Sequence, residues 1–236
     1  MLILIGATYP AQTSIPVGRF GATIAAVADI PGSKFYAVND RPVAVVPTAQ
    51  GGADCVVFDF ATGEMVPDRS YFGYVTPGSG RDVDVLTEAE FEARLATSRS
   101  RAGALATGRL REWAEQLCAA TGTAADVAAA LGFPGAAPAA DEVTVDPPPP
   151  GYHEMKVSSS RGRRASATLR SAGRLLTREA LEAGLGPGRE MPIFPDSGDE
   201  GNVVYRVVFP GVPGQCDIRA RFRRGAAAYL SLTAAD

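Results

Sequence analysis

The sequence predicts an α+β fold: an antiparallel β-meander followed by helices, then a helix-plus-antiparallel-sheet module. Three observations predict it. Residues 34–85 hold short β-branched and aromatic runs separated by turn dipeptides. Residues 87–132 carry apolar repeats at helical spacing behind capping threonines. Beyond the proline run Pro147–Pro150 the strand pattern returns around one more capped helix.

In the meander, Lys34–Val38 and Arg41–Val46 flank Asn39-Asp40, two residues that tolerate positive φ and so close a hairpin. Asp54–Phe60 is the next strand, and Ala61-Thr-Gly-Glu64 turns the chain. Met65–Val75 is expected to run extended, with Pro67 marking an edge or an irregular start. Thr87 and Glu90 form a capping box, with Leu86 and Phe91 in staple positions and Leu95 on the same face. A hinge is expected at Gly103 or Gly108. A second helix then carries Leu110, Trp113, Ala114 and Leu117 and ends at Gly122.

Thr123 caps a short helix closed by Gly132. After residues 134–150, a Pro/Ala-rich linker or strap, His153–Ser159 and Ala165–Arg170 read as strands around Arg161-Gly-Arg163. Thr177 starts a helix that ends at Gly186. Asn202–Phe209, Asp217–Arg223 and Ala227–Leu232 are strands. Asp217–Arg223 alternates, with Ile218, Ala220 and Phe222 on one face and Arg219, Arg221 and Arg223 on the other. Thr123-x3-Val127-x3-Leu131-Gly132 is echoed by Thr177-x3-Leu181-x3-Leu185-Gly186, which leaves duplication and chance as two open explanations. The domain division is an extension at 1–32, the meander and helices at 33–133, the linker or strap at 134–150 and the C-terminal module at 151–236.

The unit from Leu176-Thr177 through Gly186 to Tyr205–Phe209, Ile218–Phe222 and Tyr229–Leu232 resembles the helix-then-sheet modules of the SmpA/OmlA outer-membrane lipoproteins and of β-lactamase inhibitory protein. The resemblance implies an α+β module of a kind used to bind proteins, and it transfers no individual contact residue. No lipobox cysteine stands near the start, so a membrane anchor is not implied.

Composition sets the outer limits. With 46% hydrophobic and 21% charged residues the chain holds enough apolar matter for a core. A net charge of −3 gives no global field for nucleic acid or an anionic membrane, so neither partner is expected. Residues 1–150 are net acidic and 151–236 net basic, which separates two modules. The 3 cysteines are far apart and form no CxxC pair, which argues against a secreted disulfide scaffold. The short apolar run Met1–Ala7 lacks a basic flank and makes a poor signal peptide. A cytoplasmic setting is therefore expected, with the oligomeric state left open.

Candidate chemistry is sparse. Cys118 lies late in its helix and Cys55 within a strand, so both are expected as core thiols. The acidic loop Asp196–Gly201 lacks the ligand spacing of a calcium loop and is expected to be solvated. Asp82 and Asp84 share a strand face without apolar surroundings. No metal site, cofactor or catalytic residue is expected. Two contact faces remain. Arg219, Arg221 and Arg223 with Arg224, a stripe that Arg161, Arg163 and Arg164 can extend, suit an acidic protein surface or a phosphate chain, or else form a solvated strand face docked on the acidic half. Tyr71, Phe72 and Tyr74 place aromatics on both faces of one strand, one face for the core and one free to bind. The expected function is non-catalytic protein binding, immunity-like or inhibitor-like in a bacterial conflict system. The alternatives are an enzyme with a distributed carboxylate, tyrosine and arginine site, and a scaffold that pairs through its edge strands.

Overall fold

The turn residues shape the first sheet. In the computed structural model, which describes residues 27–76, 82–134, 141–159, 164–193 and 197–235, Asn39 and Asp40 take φ of 47° and 66°. They join β1 (Lys34–Val38) to β2 (Arg41–Pro47) as a tight hairpin. β3 (Ala53–Asp59) and β4 (Glu64–Pro67) follow, turned at Gly63 with φ 74°. Asp68 then caps a 3-10 turn (Arg69–Tyr71) that leads into the short helix α1 (Phe72–Val75). β5 (Val83–Leu86) returns beside β1, giving the order β4-β3-β2-β1-β5. Strand alternation sends Phe35, Ala44, Val56, Phe58 and Met65 to one face. Val38, Val43, Cys55 and Val57 go to the other.

The extended run expected over Met65–Val75 is thus corrected: it stops at Pro67. The Asp68 carboxylate accepts from the Ser70 amide at 3.0 Å and its hydroxyl at 2.6 Å, which favours a turn over further strand. Tyr71 and Tyr74 consequently stand at helical spacing and pack edge to face, ring centroids 5.1 Å apart. They share one side instead of occupying opposite faces of a strand.

α2 (Glu88–Ala119) begins at the expected capping box, where the Thr87 amide donates to Glu90 at 2.8 Å and the Glu90 amide to Thr87 at 3.3 Å. It runs unbroken for 32 residues, where the sequence suggested two helices and a hinge. α3 (Ala124–Ala130) follows Thr123, whose side chain forms a second capping box with Asp126.

The second sheet contains β6 (Glu142–Thr144), β7 (Tyr152–Ser158), β8 (Ser166–Ser171), β9 (Arg189–Glu190), β10 (Gly201–Val207), β11 (Gln215–Arg223) and β12 (Ala226–Ala235). α4 (Arg178–Leu185) stands between β8 and β9. The order β6-β7-β8-β12-β11-β10-β9 is two meanders joined antiparallel through their last strands. Each meander follows a threonine-capped helix, closed at Gly132 with φ 89° and at Gly186 with φ 87°. The topology therefore mirrors the sequence echo. Val143 and Val145, just before the proline run, are buried in the same core as Met155, Leu169, Ile218 and Leu232.

α2 serves both sheets. Phe91, Leu95 and Ala102 belong to the first core; Leu110, Trp113, Ala114 and Leu117 belong to the second. Gly103 admits a close approach instead of a hinge: a Cβ there would lie 3.0 Å from the Leu175 carbonyl oxygen and 3.4 Å from the Ala180 Cβ. Gly184 of α4 repeats the device, since its Cβ would meet Thr107 Cγ2 at 2.4 Å.

Cys118 and Cys216 form a disulfide, which corrects the expectation of an unpaired core thiol at Cys118. Their Cα atoms are 6.2 Å apart although 98 residues separate them in sequence. The end of α2 packs against β11, which brings the sulfurs together. Closing so long a loop removes unfolded-state entropy worth up to about 4–5 kcal/mol in the chain-entropy account. Cys55 stays buried and free.

The β3–β4 turn locks onto the second module. The Arg174 amide donates to the Thr62 carbonyl at 2.9 Å, and a Cβ at Gly173 would stand 2.0 Å from that same oxygen. Backbone faces backbone, so neither side can yield cheaply. Gly173→Ala is expected to destabilise the fold by about 2–3 kcal/mol. Gly108→Ala, in α2 with open space at its Cβ, is expected to stabilise it by up to about 1 kcal/mol. Urea unfolding of both variants checks the opposite signs.

Candidate binding surface

β11 supplies the arginines, and its neighbours supply the rest of the surface. Alternation turns Ile218, Ala220 and Phe222 into the core and leaves Arg219, Arg221 and Arg223 on the outer face. Two cross-strand rows then assemble. Arg219 faces Ser231 of β12, which faces Thr168 of β8, which faces Lys156 of β7. Arg221 faces Tyr229, then Arg170, then Glu154. Together these residues line an open groove of about 280 Å³ across the joint between the two meanders.

The cations of this face differ in what holds them. Arg223 donates to Asp199 at 2.8 Å, and Arg221 approaches the same carboxylate at 3.8 Å. Their guanidinium carbons sit 5.4 and 4.5 Å from the Tyr229 ring centre. The Asp199 side chain is only 4% exposed, with the Arg221 and Arg223 guanidiniums against it. Burial pushes its pKa up, but hydrogen bonds from Arg223 and Ser197 and the charges of Arg221 and Arg223 outweigh it and leave the carboxyl below its usual range. Arg206 grips Asp217 through two bonds of 2.8 and 3.0 Å, which likewise lowers the Asp217 pKa. Lys156 lies 3.5 Å from both Glu142 and Glu154, whose charges raise its pKa. Arg170 and Arg219 have no hydrogen bond or ion pair among the described residues.

Of the predicted stripe, Arg219 and Arg221 therefore line the groove and Arg223 is held by Asp199. Arg164 donates to the Ala234 carbonyl at 3.0 Å, while Arg161 and Arg163 lie outside the described residues. Arg170, Lys156 and Tyr229 join from strands whose neighbour order the sequence did not reveal. Their outward positions were readable from alternation; their adjacency was not.

The aromatic trio lies elsewhere. Tyr71, Phe72 and Tyr74 cover the outer face of the first sheet, half-buried on Val38, Val43, Cys55 and Val57. Arg41 donates to the Tyr71 hydroxyl at 2.6 Å and stacks 5.3 Å from the Phe60 ring centre. These aromatics and the arginines occupy different sheets. Burial pushes the Cys55 thiol up to about 11, with Asp68 and Asp54 adding to the rise, so it is a poor nucleophile at neutral pH.

The acids do not assemble. Asp82 and Asp84 are exposed, and Arg94 reaches Asp40 at 2.6 Å and Asp84 at 4.0 Å. In the acidic loop, Asp199 holds arginines and Glu200 accepts from the Gly225 amide at 2.9 Å. Among the described residues no group of His, Cys, Asp or Glu is arranged to hold a metal ion. No helix among them is long and apolar enough to cross a membrane. Comparison with known protein families, curated proteins and solved structures finds no match to this chain.

The depressed Asp199 pKa fixes a sign. A folded-state pKa below the unfolded one contributes stability above the unfolded value and loses it as pH falls through the folded value. Wild type is expected to lose stability more steeply than Asp199→Asn below about pH 4. Urea midpoints measured on both chains from neutral pH into acid check this.

Proposed function

We propose that this chain is a non-catalytic protein-binding protein that holds an acidic partner across the outer face of its second sheet, as an immunity protein or inhibitor in a bacterial conflict system would. The observation that carries the reading is the pair of guanidiniums Arg170 and Arg219, which make no hydrogen bond or ion pair among the described residues, in a groove beside Tyr229. Arginine and tyrosine dominate binding energy at protein interfaces, and a guanidinium matches a carboxylate in two bonds. The groove is open and spread over four strands, a shape suited to a surface more than to a small substrate. The ion pairs on this face are made by Glu142, Glu154, Asp199 and Asp217, all from strands or loops of the second sheet. The first sheet supplies none of them among the described residues. The resemblance of the helix-then-sheet unit to β-lactamase inhibitory protein and the SmpA/OmlA modules supports the same class.

Compartment bears on the partner. The sequence favours the cytoplasm, whereas a Cys118–Cys216 bridge persists best under oxidising conditions. The bridge weighs toward a partner met outside a reducing cytosol.

Affinity capture from the native host tests the reading, with wild type compared to Arg170→Glu plus Arg219→Glu. Both positions are exposed, so folding is expected to be unchanged. Close interfacial charge pairs couple by about 1.5 kcal/mol or more, so the double variant is expected to weaken capture at least about tenfold. Rising salt should weaken the wild type alone. Equal capture by both chains at every salt concentration would remove this face from the account.

A further inference from the structure

A second recess, of about 320 Å³, opens where α2 passes between the β3–β4 turn and the loops flanking β7 and β8. Its walls are apolar. Phe60 is 37% exposed and Leu105 65% exposed, two of the five large hydrophobic side chains left open among the described residues, and both line this one recess. Ala106 and Leu175 complete the wall.

The floor is fixed. Cβ atoms at Gly151 and Gly173 would stand 2.4 and 2.0 Å from the carbonyl oxygens of Ala61 and Thr62, so backbone is pressed on backbone. Asp59 braces the turn, accepting from the Ala61 amide at 3.0 Å and the Thr62 hydroxyl at 2.7 Å. A preformed apolar recess between packed modules is a common setting for a small ligand.

Two polar side chains, Arg109 and Tyr152, line the same recess. Arg109 is exposed and has no hydrogen bond or ion pair among the described residues. The Tyr152 hydroxyl is near enough to feel its charge and also has no hydrogen bond among them. Burial pushes the Tyr152 pKa up to about 12, against the pull of Arg109, so the hydroxyl keeps its proton and can donate. Two donors, one charged, beside an apolar wall match a ligand with an anionic head and an apolar tail.

We propose that this recess binds a small amphipathic carboxylate. Its tail lies on Phe60, Leu105, Ala106 and Leu175, and its carboxylate accepts from Arg109 and Tyr152. The site is separate from the arginine groove and does not depend on the reading of that face.

The molecule carries its own reporter. Trp113 is the 1 tryptophan of the chain, and its ring lies 5.8 Å from that of Tyr152. The full chain titrated with decanoate is expected to show a saturable change in tryptophan emission. Decanol, with the same tail and no charge, should bind at least tenfold more weakly. Arg109→Gln should weaken decanoate at least tenfold and leave decanol unchanged. Leu105→Asp, at an exposed position, should weaken both while the melting temperature stays near wild type. No saturable change with decanoate, equal affinity for acid and alcohol, or unchanged binding in either variant would overturn the proposal.

Discussion

One helix packed against two sheets is the constraint on which the rest of this structure depends. At about 1.5 Å per residue, the 32 residues of α2 span about 48 Å. Phe91 at one end stacks on Phe35 with ring centres 4.7 Å apart. Leu117 near the other is fully buried in the second core. Between them the small residues Gly103 and Thr107 let α4 and its leading loop press close. The disulfide fastens the last turn of α2 to β11. Each sheet thus has one face committed to the helix layer.

The two outer faces divide the chemistry. That of the first sheet is apolar, and the chain covers it with its own Tyr71, Phe72 and Tyr74. That of the second sheet is polar, and its cations are graded by the acids nearby. Asp199 neutralises Arg223 and shares Arg221; Asp217 neutralises Arg206. Pairs whose arginines stay at the solvent-facing surface contribute little to stability, about 0–1 kcal/mol each. Their consequence is spatial: they hold charge at the margin, while Arg170 and Arg219 line the groove with no ion pair among the described residues.

What could be read from the sequence follows a physical rule. Local chemistry was readable: the Asn39-Asp40 turn, the caps at Thr87, Thr123 and Thr177, and the inside-outside alternation of β11 all appear where the residues place them. Features set by distant partners were not. Gly103 looked like a hinge because its reason, the Leu175 carbonyl, lies far along the chain. Cys118 and Cys216 carried no spacing signal for their pairing. Arg170 could not be joined to Arg219 without knowing that β8 pairs with β12. The strand expected through Tyr71 and Tyr74 failed for a local reason, since Asp68 followed by Ser70 is a capping signal that outweighed the aromatic run.

Native-state hydrogen exchange along α2 tests most directly whether this helix makes the two modules one cooperative body. Its slowest amides near Leu95 and Ala102, on the first core, are expected to share one opening free energy with those near Ala114 and Leu117, on the second. If the first half of α2 opened at a distinctly lower free energy while the second stayed closed, the sheets would be independent and the shared-helix account would be wrong.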